Sequence, residues 1–194
     1  MRTFFAQLVF MIAMNPPFPF SKESLVKSLN ATNQQVRQRF SAFAATEFVT
    51  RPAPAEWSPA ENLDHVIRSV GPVARAMQIP KVGLQFMFGK SNRLAKSFEE
   101  IRDAYLSVLA KGATASGRYV PEPRVKQDAE AVRRLLLQKW DDADLRLMSG
   151  IEHWSESALD AYVLPHPLLG KLTVREILFF TLYHNSRHAA HVSD

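Results

Sequence analysis

Near the end of the chain, His184, His188 and His191 recur at helical spacing within Thr173-Val-Arg-Glu-Ile-Leu-Phe-Phe-Thr-Leu-Tyr-His-Asn-Ser-Arg-His-Ala-Ala-His. At 100° per residue, Ile177, Phe180, Thr181 and these three histidines fall on one side of a helix. The stripe therefore begins as hydrophobic core and continues as imidazole. Two histidines four apart on an inward face can grip one metal ion from a single rigid element. A metal site needs at least one more ligand from elsewhere, and the spacing fits core or helix-end histidines as well, favoured by the negative end of the helix dipole. With no cysteine in the chain, any ion must be held by His, Asp or Glu, and disulfides, zinc ribbons and thiol nucleophiles are excluded. No Glu follows His184 in the H-E-x-x-H manner, so the built-in base of zinc proteases is missing. There is no glycine-rich phosphate loop and no nucleophile elbow.

The elements that must position these rings read as helices. Thr173 and Glu176 have the T-x-x-E spacing of a capping box and start the last helix. Because it is apolar nearly all round at first, it is expected to be buried, with Ile177, Phe180 and Leu182 inside. Ser21 caps a first helix predicted to reach about Thr50, with Leu25, Leu29, Val36, Phe40, Phe43 and Phe48 as its stripe. Ser58, Pro59 and Glu61 open a second, whose core stripe is Leu63, Val66, Ile67, Val70, Ala74 and Met77. His65 lies off that stripe, on a flank with Asn62, Ser69, Pro72 and Ala76. The wheel fits a surface histidine there nearly as well as a ligand. Glu61, one turn earlier, either orients the His65 ring or serves the cap. A third main helix spans about 127–148 with a near-heptad seam of Ala129, Val132, Leu136, Trp140, Ala143 and Leu147, and Ser149-Gly150 is expected to break it. Residues 80–126 form a long connection with one clear helix around Phe98–Leu109, of the kind that covers a site or an end of a bundle. His166, between two prolines, is expected to fix loop geometry rather than hold metal, and His153 lies in the same crossing segment. The expected fold is an all-α four-helix bundle, with a long helical and irregular connection between the second and third main helices and no sheet.

At 194 residues the chain is one domain with a real core. The formal charge of +5 raises nucleic acid or an acidic surface, but Lys and Arg are interleaved with Glu and Asp, as on solvated helix faces. Phe4 to Met14 is apolar yet too short to span a bilayer. It has the size of a signal-peptide core with poor cleavage residues, and Met14 offers an alternative start. Residues 1–20 are read as a leader outside the domain, residues 21–194 as the domain, and the protein as cytoplasmic.

Two stretches carry a family resemblance. Trp57-Ser-Pro-Ala-Glu-Asn-Leu-Asp-His65-Val resembles the segment that starts the second helix and supplies the first metal histidine of the DinB-like (DinB/YfiT-like) metalloenzymes. His166-Pro-Leu-Leu-Gly170-Lys-Leu-Thr-Val-Arg-Glu-Ile-Leu-Phe-Phe-Thr-Leu-Tyr-His184-Asn-Ser-Arg-His188 resembles their closing signature. The resemblance runs from about Ser21 to the end. It implies a four-helix bundle with a divalent metal held by His65, His184 and His188, the first of which the wheel alone did not assign. His191 lies beyond the matched pattern and reads as a tail residue.

Three neutral imidazoles leave a tetrahedral ion one open position, the catalytic pattern, where bound water approaches a pKa of about 7 or a thiol binds as thiolate. By resemblance the expected function is a metal-dependent enzyme of the thiol S-transferase or hydrolase type, using zinc or nickel and a low-molecular-weight thiol. The alternative is a bundle that binds metal without turnover, as a structural or stress-related module. Arg187 borders the histidine face, as a holder of an anionic substrate or as a solvated arginine. The expected partners are a small-molecule substrate and, as an option, a second copy in a homodimer, with no nucleic acid and no membrane.

Overall fold

The computed structural model describes residues 20–124 and 128–192, so the expectations for residues 1–19 lie outside the described residues. Four long helices carry the bundle: α1 (Lys22–Ser41), α3 (Pro59–Met77), α6 (Ala129–Glu152) and α8 (Val174–His191). α1 and α3 each pack against both α6 and α8, which makes a ring of four around one core. Phe40, Leu63, Trp140, Leu147, Leu178 and Phe179 are fully buried there. Shorter elements are α2 (Ala45–Val49), α4 (Lys81–Phe88), α5 (Phe98–Ala110), a 3-10 turn at Gly117–Tyr119, and α7 (Glu156–Ala161). Among the described residues no helix is long and apolar enough to cross a membrane.

The all-α bundle matches the sequence reading, with three differences of detail. The first helix does not run to Thr50. It ends at Ser41, and α2 restarts at Ala45, where the Glu47 carboxylate accepts from the Ala44 N–H at 3.2 Å. The separate short helix packs against α6 and buries Phe48 completely. Gly150 does not break α6, which continues to Glu152. Glycine is there because α6 and α3 nearly touch: a Cβ at Gly150 would lie 2.6 Å from the Met77 Cβ. Finally, a small sheet does appear. β1 (Val163–His166) pairs antiparallel with β2 (Gly170–Thr173), in the register Val163 with Thr173 and His166 with Gly170. Four-residue strands, one carrying Pro165, are too short to show a period-two pattern.

That hairpin aims the last helix, because β2 ends on Thr173, the N-cap of α8. The Thr173 hydroxyl accepts from the Glu176 N–H, while the Glu176 carboxylate accepts from the Thr173 N–H at 2.7 Å. α3 begins in the same way with Ser58 and Glu61. Each buried capping glutamate is also gripped by an arginine from a preceding segment, Glu61 by Arg51 and Glu176 by Arg93. Burial raises the Glu176 carboxyl, but Arg93 and the Lys96 and Thr173 N–H groups together hold it below the ordinary range. Both ring-bearing helices therefore have fixed starting points. At the other boundary, Phe20, assigned to the leader from sequence, packs its ring 5.0 Å from that of Phe179.

Candidate metal centre

α3 and α8 bring His65, His184 and His188 together, and their candidate ligand atoms all lie within 4.8 Å of one another. Among the described residues no other group of three His, Asp or Glu side chains is gathered in this way. The ring centroids are 4.6 Å apart for His184 and His188, 4.8 Å for His65 and His188, and 5.0 Å for His65 and His184. His65 and His184 are buried and His188 nearly so.

Hydrogen bonds decide which nitrogens face the cluster. His65 Nδ1 lies 2.7 Å from the Tyr119 carbonyl, which can only accept, so Nδ1 carries the proton and Nε2 a lone pair. His188 Nδ1 lies 3.0 Å from Asn62 Oδ1. The amide of Asn62 is oriented by its Nδ2, which donates to the Trp57 and Ser58 carbonyls at 3.1 Å each. Its oxygen therefore faces His188, whose Nδ1 is also the protonated nitrogen. His184 Nε2 sits 3.0 Å from His65 Nε2, and its own Nδ1 is buried without a partner. Two nitrogens bound to one ion at 2.0–2.1 Å with a tetrahedral angle lie about 3.3 Å apart. The donor set and its spacing fit a divalent ion.

Electrostatics supply neutral rings. Burial lowers the pKa of His184 well below its ordinary value, and the neighbouring His188 and His65 lower it further. Burial takes His188 down to about 3, with His65 and Arg187 adding to it. Burial also lowers His65, against the opposing pull of the Tyr119 carbonyl and Asp64. At neutral pH all three offer lone pairs without first losing a proton. Aromatic rings close the sides: Trp57 lies 5.0 Å from His65 and stacks over His188, and Phe180 stacks on His184 at 5.1 Å.

The other histidines do not join the cluster, although His166 lines the cavity beside it and packs its ring 4.1 Å from that of Phe180. His166 Nδ1 accepts from the Leu168 and Leu169 N–H groups at 3.2 and 3.1 Å, which shapes the hairpin turn as expected. His153 caps the end of α6, and His191 is exposed. Glu61 serves the cap and Arg51 and makes no contact with His65 among the described residues. The Tyr119 carbonyl takes the ring-holding role instead. A backbone acceptor 54 positions away leaves no mark on sequence, whereas Asn62, one turn before His65 on the same flank, was visible there.

A cavity of about 410 Å³ opens beside the cluster, with His65, His184, Tyr105, Phe180 and Leu164 in its wall. Its roof is the predicted long connection. The turn carrying Tyr119 is clamped to α3 by Arg68, which bonds the Arg118 carbonyl, Asp64 and Glu122.

The profile of the DinB superfamily matches residues 28–192, while no curated protein matches the chain. Among solved structures, the colibactin self-resistance protein ClbS, in complex with a dsDNA, is similar at 16% identity and a TM-score of 0.49. The similarity covers 91% of this chain and 95% of that one. The dsDNA is the partner of ClbS, and on that finding the expectation that nucleic acid is no partner of this chain is withdrawn. The family match spans both ring-bearing helices and nearly all of the bundle, and the chain belongs to the DinB superfamily.

Proposed function

We propose that the protein is a metal-dependent enzyme of the thiol S-transferase or hydrolase type, its zinc or nickel ion held by His65, His184 and His188. The observation that carries this reading is the convergence of three neutral imidazoles within 4.8 Å at the wall of a largely apolar cavity. Bound there, a divalent ion supplies a Lewis acid that favours the anionic form of a thiol or of water at neutral pH.

The chain's own residues do the rest. The Tyr119 carbonyl and the Asn62 amide keep the His65 and His188 protons on Nδ1, so each Nε2 lone pair stays turned inward. The apolar wall of Leu109, Leu164, Ile177 and Phe180 excludes water from the reacting end of a substrate. Tyr105 lines the same cavity, and its hydroxyl has no hydrogen-bond partner among the described residues. Burial raises its pKa, so the hydroxyl keeps its proton and can donate to an oxygen of the substrate.

The test is metal content after dialysis, followed by turnover of low-molecular-weight thiols with a fluorogenic bimane electrophile. His65→Ala, His184→Ala and His188→Ala should each lose metal by roughly tenfold or more, and Asn62→Ala by a similar or smaller factor. His153→Ala should retain it. Full metal occupancy in His65→Ala would sink the ligand assignment. One ion per chain with no turnover of any thiol or ester substrate would favour the module that binds metal without catalysis.

A further inference from the structure

Beside the apolar cavity lies a second, differently charged space. A groove of about 380 Å³ runs between α3 and α6, lined by the cations Arg68, Arg75, Arg118, Lys139 and Arg146 and by one carboxylate, Asp142. Pro72, Arg75 and Arg118 line both spaces, so the two adjoin at these residues. Arg68 is neutralised by Asp64 and Glu122 at 2.8 and 2.9 Å. Arg75, Arg118, Lys139 and Arg146 have no carboxylate within salt-bridge distance among the described residues. The Arg118 guanidinium rests over the Tyr119 ring at 5.3 Å, which holds it in place while leaving its charge unmatched.

We infer that the ligand of the histidine cavity is an amphipathic anion. Its apolar carbon body fills the cavity against Val73, Leu109, Leu164 and Phe180, with the reacting end toward His65 and His184. Its carboxylate or phosphate group lies at the border of the two spaces, against Arg75 and Arg118. Planar guanidinium groups match the oxygens of either anion, and here they are unpaired, so binding breaks no existing ion pair. The further cations Lys139 and Arg146 extend the positive field outward and draw such a ligand toward the mouth. The turn that presents Arg118 is already fixed, because Arg68 bonds the Arg118 carbonyl and His65 bonds the next one. This inference rests on the proposed reading that the cavity is the substrate site, and it is tested by binding rather than turnover.

Three probes share one apolar body: octanoate, octyl phosphate and the neutral 1-octanol. Their binding to the whole chain is measured by calorimetry, once with metal removed by chelator and once with zinc restored. In the metal-free protein at low salt, at least one anion should bind roughly tenfold or more tightly than octanol, and the preferred anion identifies the head group. Arg75→Gln/Arg118→Gln should erase that preference and leave octanol binding unchanged. Both side chains are exposed, and circular dichroism checks that the variant is folded. Equal binding of all three probes overturns the inference, as does a preference that survives the double substitution. A preference seen only with zinc, and kept in the double variant, places the anion on the ion instead and also overturns it. If zinc fails to bind while the arginine-dependent preference persists, the metal reading falls and this one stands.

Discussion

At the scale of single residues, the site depends on which ring nitrogens carry protons, and the protein sets this with two unlike acceptors. One is a backbone carbonyl on a turn, the other a side-chain amide held by two carbonyls. The residue types of the triad were visible in the sequence, and the i, i+4 pair on α8 announced itself. The helical wheel did not decide His65, because its flank of the helix is outward or inward according to what covers it, and the family resemblance alone named it. His166 illustrates a different use of a buried neutral ring. Burial lowers its pKa from the ordinary 6.5 to about 4. Below pH 6.5 the unfolded chain takes up a proton that the folded ring refuses until about pH 4. Stability is therefore complete above pH 6.5 and lost as pH falls toward 4, by up to roughly 3 kcal/mol from this ring. His184 and His188 act in the same direction in metal-free protein. Urea midpoints of the metal-free chain between pH 7 and 4.5 should fall steeply. His166→Asn keeps an acceptor for the Leu168 and Leu169 N–H groups and should flatten the fall. An unchanged slope would show that His166 does not titrate as described.

At the scale of elements, helix starts were legible and helix ends were not. Ser58 with Glu61, and Thr173 with Glu176, are local patterns that satisfy their own backbone, so spacing alone identifies them. The break at Ser41, the continuation through Gly150 and the hairpin depend on partners distant in sequence, which no local pattern encodes. The α3–α6 crossing gives a sharp check. Gly150→Ala places a methyl 2.6 Å from the Met77 Cβ and 3.1 Å from Gln78 Nε2. It should cost about 1–3 kcal/mol in chemical denaturation, as overpacking does. Gly71→Ala, on the same α3, meets only the flexible end of Arg75 at 3.5 Å. There the gain in helix propensity should add about 0.5–1 kcal/mol. Equal effects at the two positions would contradict the close approach.

At the scale of the whole molecule, the bundle buries apolar seams from all four long helices in one core. Chelation should therefore leave the far-UV circular dichroism of the helices nearly intact while lowering the melting temperature, since an ion bound only by the folded state stabilises it by mass action. Loss of the helical signal together with the metal would instead mark a metal-folded domain. The bundle was readable from the sequence because four long stripes with matching periods leave few other ways to bury them. The cavity was not, because it is formed by a connection of mixed character lying over α3 and α8.

One turn ties two ends of the site together. Arg118 lines the cavity, while the carbonyl of the adjacent Tyr119 holds the His65 ring. A ligand that shifts this turn also shifts a metal-facing nitrogen. Thermodynamic reciprocity then requires that an anion at Arg118 alter the affinity of the histidines for metal by the same factor as metal alters the affinity for the anion. Measuring either coupling gives the other, so a metal titration with and without octanoate reads the communication across the turn without any knowledge of the natural substrate.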